Sequence, residues 1–169
     1  MRPRTRKGVL VAHIVGVGAW IGLDVMLGVL VFTPLLTTDP AVTALCYQAM
    51  PLLFWPILVS GLTSLVTGVV LGMGTHHGLV RHWWVLVKLV LNVVLTALVL
   101  VLLGPAMDDA AHAGRLLAAG LPVDGGLPNL VFPPIVSGAS LVVATVLAVY
   151  RPWGRVRRVD AGPGPGARA

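Results

Sequence analysis

A single cysteine, Cys46, occurs in the chain, which excludes an intrachain disulfide and any multi-cysteine metal site. Charged side chains are scarce as well, at 11% of 169 residues, too few to coat a soluble core of this size. No apolar run alternates with period two, so nothing reads as a strand, and no internal repeat or second domain is visible. What remains is apolar. Hydrophobic residues make up 57% of the chain and the mean hydropathy is +0.93, above the range of an ordinary soluble domain.

Four apolar stretches stand out: Val9–Phe32, Pro51–Met73, Trp83–Leu103 and Leu130–Tyr150. Each is about the 20 residues that a helix needs to cross a bilayer. In hydrocarbon the backbone must satisfy its own hydrogen bonds, so these stretches read as helices. The expected fold is all-α, an integral membrane four-helix bundle. Residues 1–8 form a basic N-terminus, 9–150 the transmembrane domain, and 151–169 a basic tail that is low-complexity from Gly162 onward. The first stretch is too long for the apolar core of a signal peptide and lacks a clear cleavage site after it, so an uncleaved helix is expected.

The net charge of +6 does not point to nucleic acid, because its distribution follows the spans. Arg2, Arg4, Arg6 and Lys7 precede the first span, Arg81 lies between the second and third, and Arg151, Arg155, Arg157, Arg158 and Arg168 follow the fourth. The other two loops hold Arg115 against Asp39, Asp108, Asp109 and Asp124. The positive-inside rule then places both termini and loop 74–82 in the cytoplasm, and the protein in the cytoplasmic (inner) membrane as a multi-pass chain. Its expected partner is the lipid bilayer, with the basic tails touching anionic headgroups.

Between the first two spans, Asp39 and Pro40 read as an N-cap and first helical residue, opening a short helix over Ala41–Ala49. Loop 74–82 holds His76, His77 and His82 without a carboxylate or cysteine, which reads as a solvated loop. The outer loop Pro105–Asn129 is expected to be irregular, apart from a short surface helix over Asp108–Ala119.

Polar residues inside the spans carry the chemistry. At about 100° per residue, His13, Trp20 and Asp24 share one face of the first helix. Gly18 and Gly22 form G-x-x-x-G on the opposite face, a surface for close backbone approach and for pairing with a second copy of the chain. Ser60, Thr63, Ser64 and Thr67 follow i, i+3, i+4, i+7, a hydroxyl-lined face expected to turn inward. Lys88, Asn92 and Thr96 form a polar stripe on the third span. His13 and Lys88 lie at similar depth in the cytoplasmic half. Asp24, some 16 Å further along its helix than His13, shares a layer with Ser60, Thr63, Ser137 and Ser140. Each has a plain alternative: Lys88 snorkels to the interface, His13 bonds a neighbouring helix, and Asp24 is a neutral acid bonded to hydroxyls.

The first span contains H-x6-W-x-G (His13, Trp20, Gly22), and the third contains W-x3-K-L (Trp84, Lys88, Leu89). In these motifs the chain resembles the group of small helical membrane proteins that unites the copper-resistance D family with the membrane-bound, haem-b protoporphyrinogen oxidases. The resemblance covers mainly the first and third spans. It implies His13 as a haem b ligand and hence a metal ligand. Lys88, Trp20 and Asn92 complete the expected cofactor-binding set, beside a polar intramembrane set of Asp24, Ser60 and Ser64. The oxidase branch carries a histidine two residues after the tryptophan of the third span, where this chain has Leu86, so the fold transfers more readily than the oxidase activity. Copper handling gains nothing from Met26, Met50, Met73 and Met107, which form no cluster. Three classes stay open: a haem-binding redox protein, a proton-linked or metal-handling permease component, and a cofactor-free protein whose polar residues hold helices together.

Overall fold

The computed structural model describes residues 2–73, 83–123 and 128–150. The histidines of loop 74–82, the glycines at 125 and 126, and the basic tail lie outside the described residues. All described secondary structure is helical. Helix α1 spans Pro3–Leu36, α2 Pro40–Ala49, α3 Phe54–Met73, α4 Trp83–Leu98, α5 Gly104–Ala118 and α6 Phe132–Tyr150.

Three helical stretches of 34 residues each are long and apolar enough to cross a membrane: Pro3–Leu36, Pro40–Met73 and Val85–Ala118. Helix α6 is a shorter apolar helix. A 34-residue helix is about 51 Å long, so each stretch is longer than a hydrocarbon thickness of roughly 30 Å.

In α1 the extra length is the helix starting at Pro3, within the expected N-terminal segment, and running on to Leu36. In the other two stretches it comes from joins that the sequence reading placed as breaks. Asp39 does cap α2, its Oδ1 accepting from the Ala41 amide at 2.8 Å, with Pro40 at the first turn. At Pro51 the chain makes one 3-10 turn, Met50–Leu53, and runs on into α3. The larger difference lies at Gly104-Pro105. The outer loop expected from Pro105 is helical through Ala118, and the helix expected over Asp108–Ala119 is the continuation of α4. A proline has no amide proton to give and crowds the carbonyl four residues back. A wider π turn over Val99–Leu103 absorbs both defects, and Gly104 lets the Phe54 ring pack against the joint.

The principal contacts run α1–α3, α3–α4, α4–α6 and α6–α1, closing a ring in which neighbours are antiparallel. Helices α2 and α5 pair beyond the ring, at the end remote from His13. Their backbones nearly touch: a Cβ on Gly114 would stand 2.9 Å from the Ala44 carbonyl oxygen. Gln48 Nε2 donates to the Gly114 carbonyl at 3.0 Å across the same contact.

Helix α1 turns Gly16, Trp20, Asp24, Leu27 and Val31 inward, a stripe with the 3.6-residue period. Its contact glycine is Gly16, where an added Cβ would meet Thr63 Cγ2 at 3.2 Å and the Ser64 amide nitrogen at 3.5 Å. Gly18 and Gly22 face outward, and a Cβ on either would meet nothing within 4 Å among the described residues. Packing of α1 within the chain therefore does not use the G-x-x-x-G pair. The reason is angular, since Gly16 lies on the buried arc and Gly18 and Gly22 lie across from it.

Candidate functional site

Register between the helices decides which polar residues meet. Along the α1–α3 seam, His13 lies against Thr67 and Gly68, Gly16 against Thr63 and Ser64, and Trp20 against Gly61. Along α3–α4, Ser64 meets Asn92, and Gly61 stands beside Thr96. Extending that register by one turn puts Lys88 level with Gly68, and hence with His13. The two ionisable groups lie within electrostatic range of each other. Lys88 is half-buried and holds a polar interaction of its own.

The hydrogen bonds around Thr67 are those of the Nδ1–H tautomer of His13, whose ring also meets the Ser64 backbone. Thr67 has one hydroxyl proton, and it points back to the Thr63 carbonyl of its own helix. The same oxygen lies 2.9 Å from His13 Nδ1, so it accepts there and Nδ1 carries the proton. In the neutral ring the lone pair then sits on Nε2. The imidazole is also fixed sideways, since a Cβ on Gly68 would stand 3.3 Å from its Cε1.

Next to this pair runs a second polar chain. Asn92 Nδ2 donates to Ser64 Oγ at 3.0 Å, and Thr96 Oγ1 donates to Asn92 Oδ1 at 3.4 Å. Ser64 is 3% exposed and Thr96 6%. The hydroxyl face of α3 does turn inward, but only part of it reaches another helix. Ser60 donates to the Ile57 carbonyl and Thr63 to the Val59 carbonyl.

Trp20 fills the ring above His13. It is 1% exposed, and its six-membered edge lies 3.3 Å from where a Gly61 Cβ would stand, so the absent side chain at Gly61 makes the notch for the indole. Asp24, one turn further along, does not join Ser60 or Thr63. It faces α6, where Ser137 is within interaction range and a Gly138 Cβ would stand 3.7 Å from Oδ2. The contact stops short of ordinary hydrogen-bond geometry: Asp24 Oδ2, Ser137 Oγ and Trp20 Nε1 are buried without a hydrogen-bond partner.

The geometry thus gathers His13, Lys88, Asn92 and Ser64 at one end of the ring, with Trp20 between them and Asp24. Thr67, Gly68 and Gly61 are the positioning residues that periodicity alone did not single out. Thr67 was visible only as one hydroxyl among four. Among the described residues no group of three or more His, Cys, Asp or Glu side chains is placed to hold a metal ion. The side chain of Trp84, the start of the W-x3-K-L motif, lies outside the described residues. No family model, no curated protein and no solved structure matches the chain.

Proposed function

We propose that the chain is a four-span protein of the cytoplasmic membrane, with both termini inside, and that its inner half carries a ligand site at His13 and Lys88 for b-type haem. Three long apolar helices support the membrane reading, and we read α6, a shorter apolar helix, as the fourth span. The single observation that carries the ligand site is the His13–Thr67 hydrogen bond, which leaves the Nε2 lone pair as the donor. A metal-binding imidazole is held in this way, its other nitrogen anchored by a neighbour.

The donors fit the group in kind. Nε2 of His13 is an iron ligand, and the Lys88 amine serves either as a second ligand or, charged, as the partner of a propionate. Asn92 and Trp20 border the same level. Bound haem would supply one-electron redox chemistry. This chain's own residues hold the imidazole in one tautomer, bring a cation to the same layer, and exclude water with the Trp20 indole. The close approach at Gly16 and Gly68 leaves no room for a planar group between α1 and α3 at those two glycines.

The test is an absorption spectrum of protein purified from haem-replete cells. A Soret band that is lost in His13→Ala is the expected result. Lys88→Ala should shift the band or weaken retention, and Lys88→Arg, which keeps the charge without ligating iron, separates the two lysine roles. A second reading is favoured by the Ser64–Asn92–Thr96 chain, in which every bond links one helix to itself or to a neighbour. On that reading the polar residues only fasten the helices, as interhelical hydrogen bonds in membranes do. A colourless preparation after haem supplementation would decide for it.

A further inference from the structure

We propose that Asp24 is a proton-exchange site, a carboxylic acid held between α1 and α6 that takes up and releases a proton by way of the Ser137 hydroxyl. Asp24 is 7% exposed, and its Oδ2 has no hydrogen-bond partner. It is the one acidic residue among α1, α3, α4 and α6. The ionisable groups on those helices are His13 and the basic N-terminal turns of α1, Lys88 on α4, and Tyr150 at the far end of α6; α3 has none. His13 is eleven residues, about 16 Å, away along α1, and Lys88 is level with His13. No cation faces Asp24 from any of the four helices.

A carboxylate left charged in such a place costs several kcal/mol. Either a proton or a metal cation must neutralise it, and the oxygen count separates them. Sodium or calcium requires about six oxygen ligands, whereas the side chains of Asp24 and Ser137 together offer three. The proton is the ligand that so few oxygens can hold.

Exchange is balanced without electron transfer. The acid's O–H bond breaks as its proton passes to Ser137 Oγ, and Asp24 is left as the carboxylate. The hydroxyl gives up its own proton to a water admitted when the α1–α6 seam opens, since Oγ is buried while the seam is closed. Reversal reloads the acid. Gly138 keeps the approach open, since a methyl group there would stand 3.7 Å from Oδ2 without displacing any other atom within 4 Å. The site is independent of the His13 ligand reading, since neither Asp24 nor Ser137 belongs to the cofactor-binding set.

The experiment uses the full chain in lipid nanodiscs and dicyclohexylcarbodiimide, an apolar reagent that modifies protonated carboxyls, with the modified residue located by peptide mass. Modification at Asp24 is expected, falling as pH is raised, unchanged by sodium, and slowed severalfold in Ser137→Ala and Gly138→Ala. Asp24→Asn, which keeps the side-chain shape, should show no modification in α1 and should lose one exchangeable carboxyl band in the infrared difference between light and heavy water. Three results would overturn the proposal: no modification of Asp24 at any pH in folded protein, a rate independent of pH, or protection by sodium. An unchanged rate in both α6 variants would remove the Ser137 route.

Discussion

Two seams of α1 can be set side by side. Along α3, α1 presents His13 and Gly16; the imidazole is hydrogen-bonded at Nδ1, and the backbones approach until a Cβ would be crowded. Along α6, the same helix presents Asp24 and Gly28; the carboxyl oxygen is unpartnered, and the nearest atoms stand 3.7 to 3.9 Å from where a Cβ would be. Both seams bury a titratable group, yet only one satisfies it. A satisfied buried group fixes position. An unsatisfied one is a place where a ligand or proton gains free energy by arriving.

The comparison depends first on which end is inside, and that outcome is all-or-none. Reporter fusions after residues 40, 78, 118 and 160 should read out, in, out, in. A cytoplasmic reading at 118 would break the four-span arrangement and with it the assignment of His13 to the inner half.

Steric substitution comes next. Gly16→Leu should destabilise the protein by about 3 kcal/mol, because its side chain meets Thr63 and the Ser64 backbone. Gly138→Ala, in the looser seam, should be neutral or gain up to about 1 kcal/mol from helix propensity. Unfolding in mixed micelles measures both, and equal losses would mean the seams are equally tight.

The smallest effects are polar. Thr67→Val should cost about 1 kcal/mol, since it removes the hydroxyl acceptor of the half-buried His13 ring and leaves it the Ser64 backbone alone. Asp24→Leu should change stability by less than about 1 kcal/mol, because no hydrogen bond is lost. A large loss in Asp24→Leu would show that the carboxyl is a fastening and would erase the contrast between the seams.

Much of this was legible in the chain before folding. The shared face of His13, Trp20 and Asp24 follows from residue spacing, and Trp20 and Asp24 are indeed buried on the stripe. The equal depth of His13 and Lys88 follows from helix rise and alternating direction. The joint at Gly104-Pro105 was not legible, because Gly-Pro ends helices in most settings and only packing against Phe54 and a π turn carry the helix through it. The contact glycine was also misplaced: G-x-x-x-G marks a surface suited to close approach, but nothing in the motif says which surface a neighbour occupies.

The sequence by itself determined the class of molecule, its helices and the residues available for chemistry. Those follow from local physics, since long apolar runs that must satisfy their own backbone hydrogen bonds form helices. Tertiary structure alone decided partners. Whether Thr67 serves His13, whether Gly61 admits the Trp20 ring, and whether Asp24 finds a hydroxyl that completes its bond all depend on register between helices far apart in the chain. A shift of one residue turns a side chain by about 100°, so such contacts are fixed only when the helices pack.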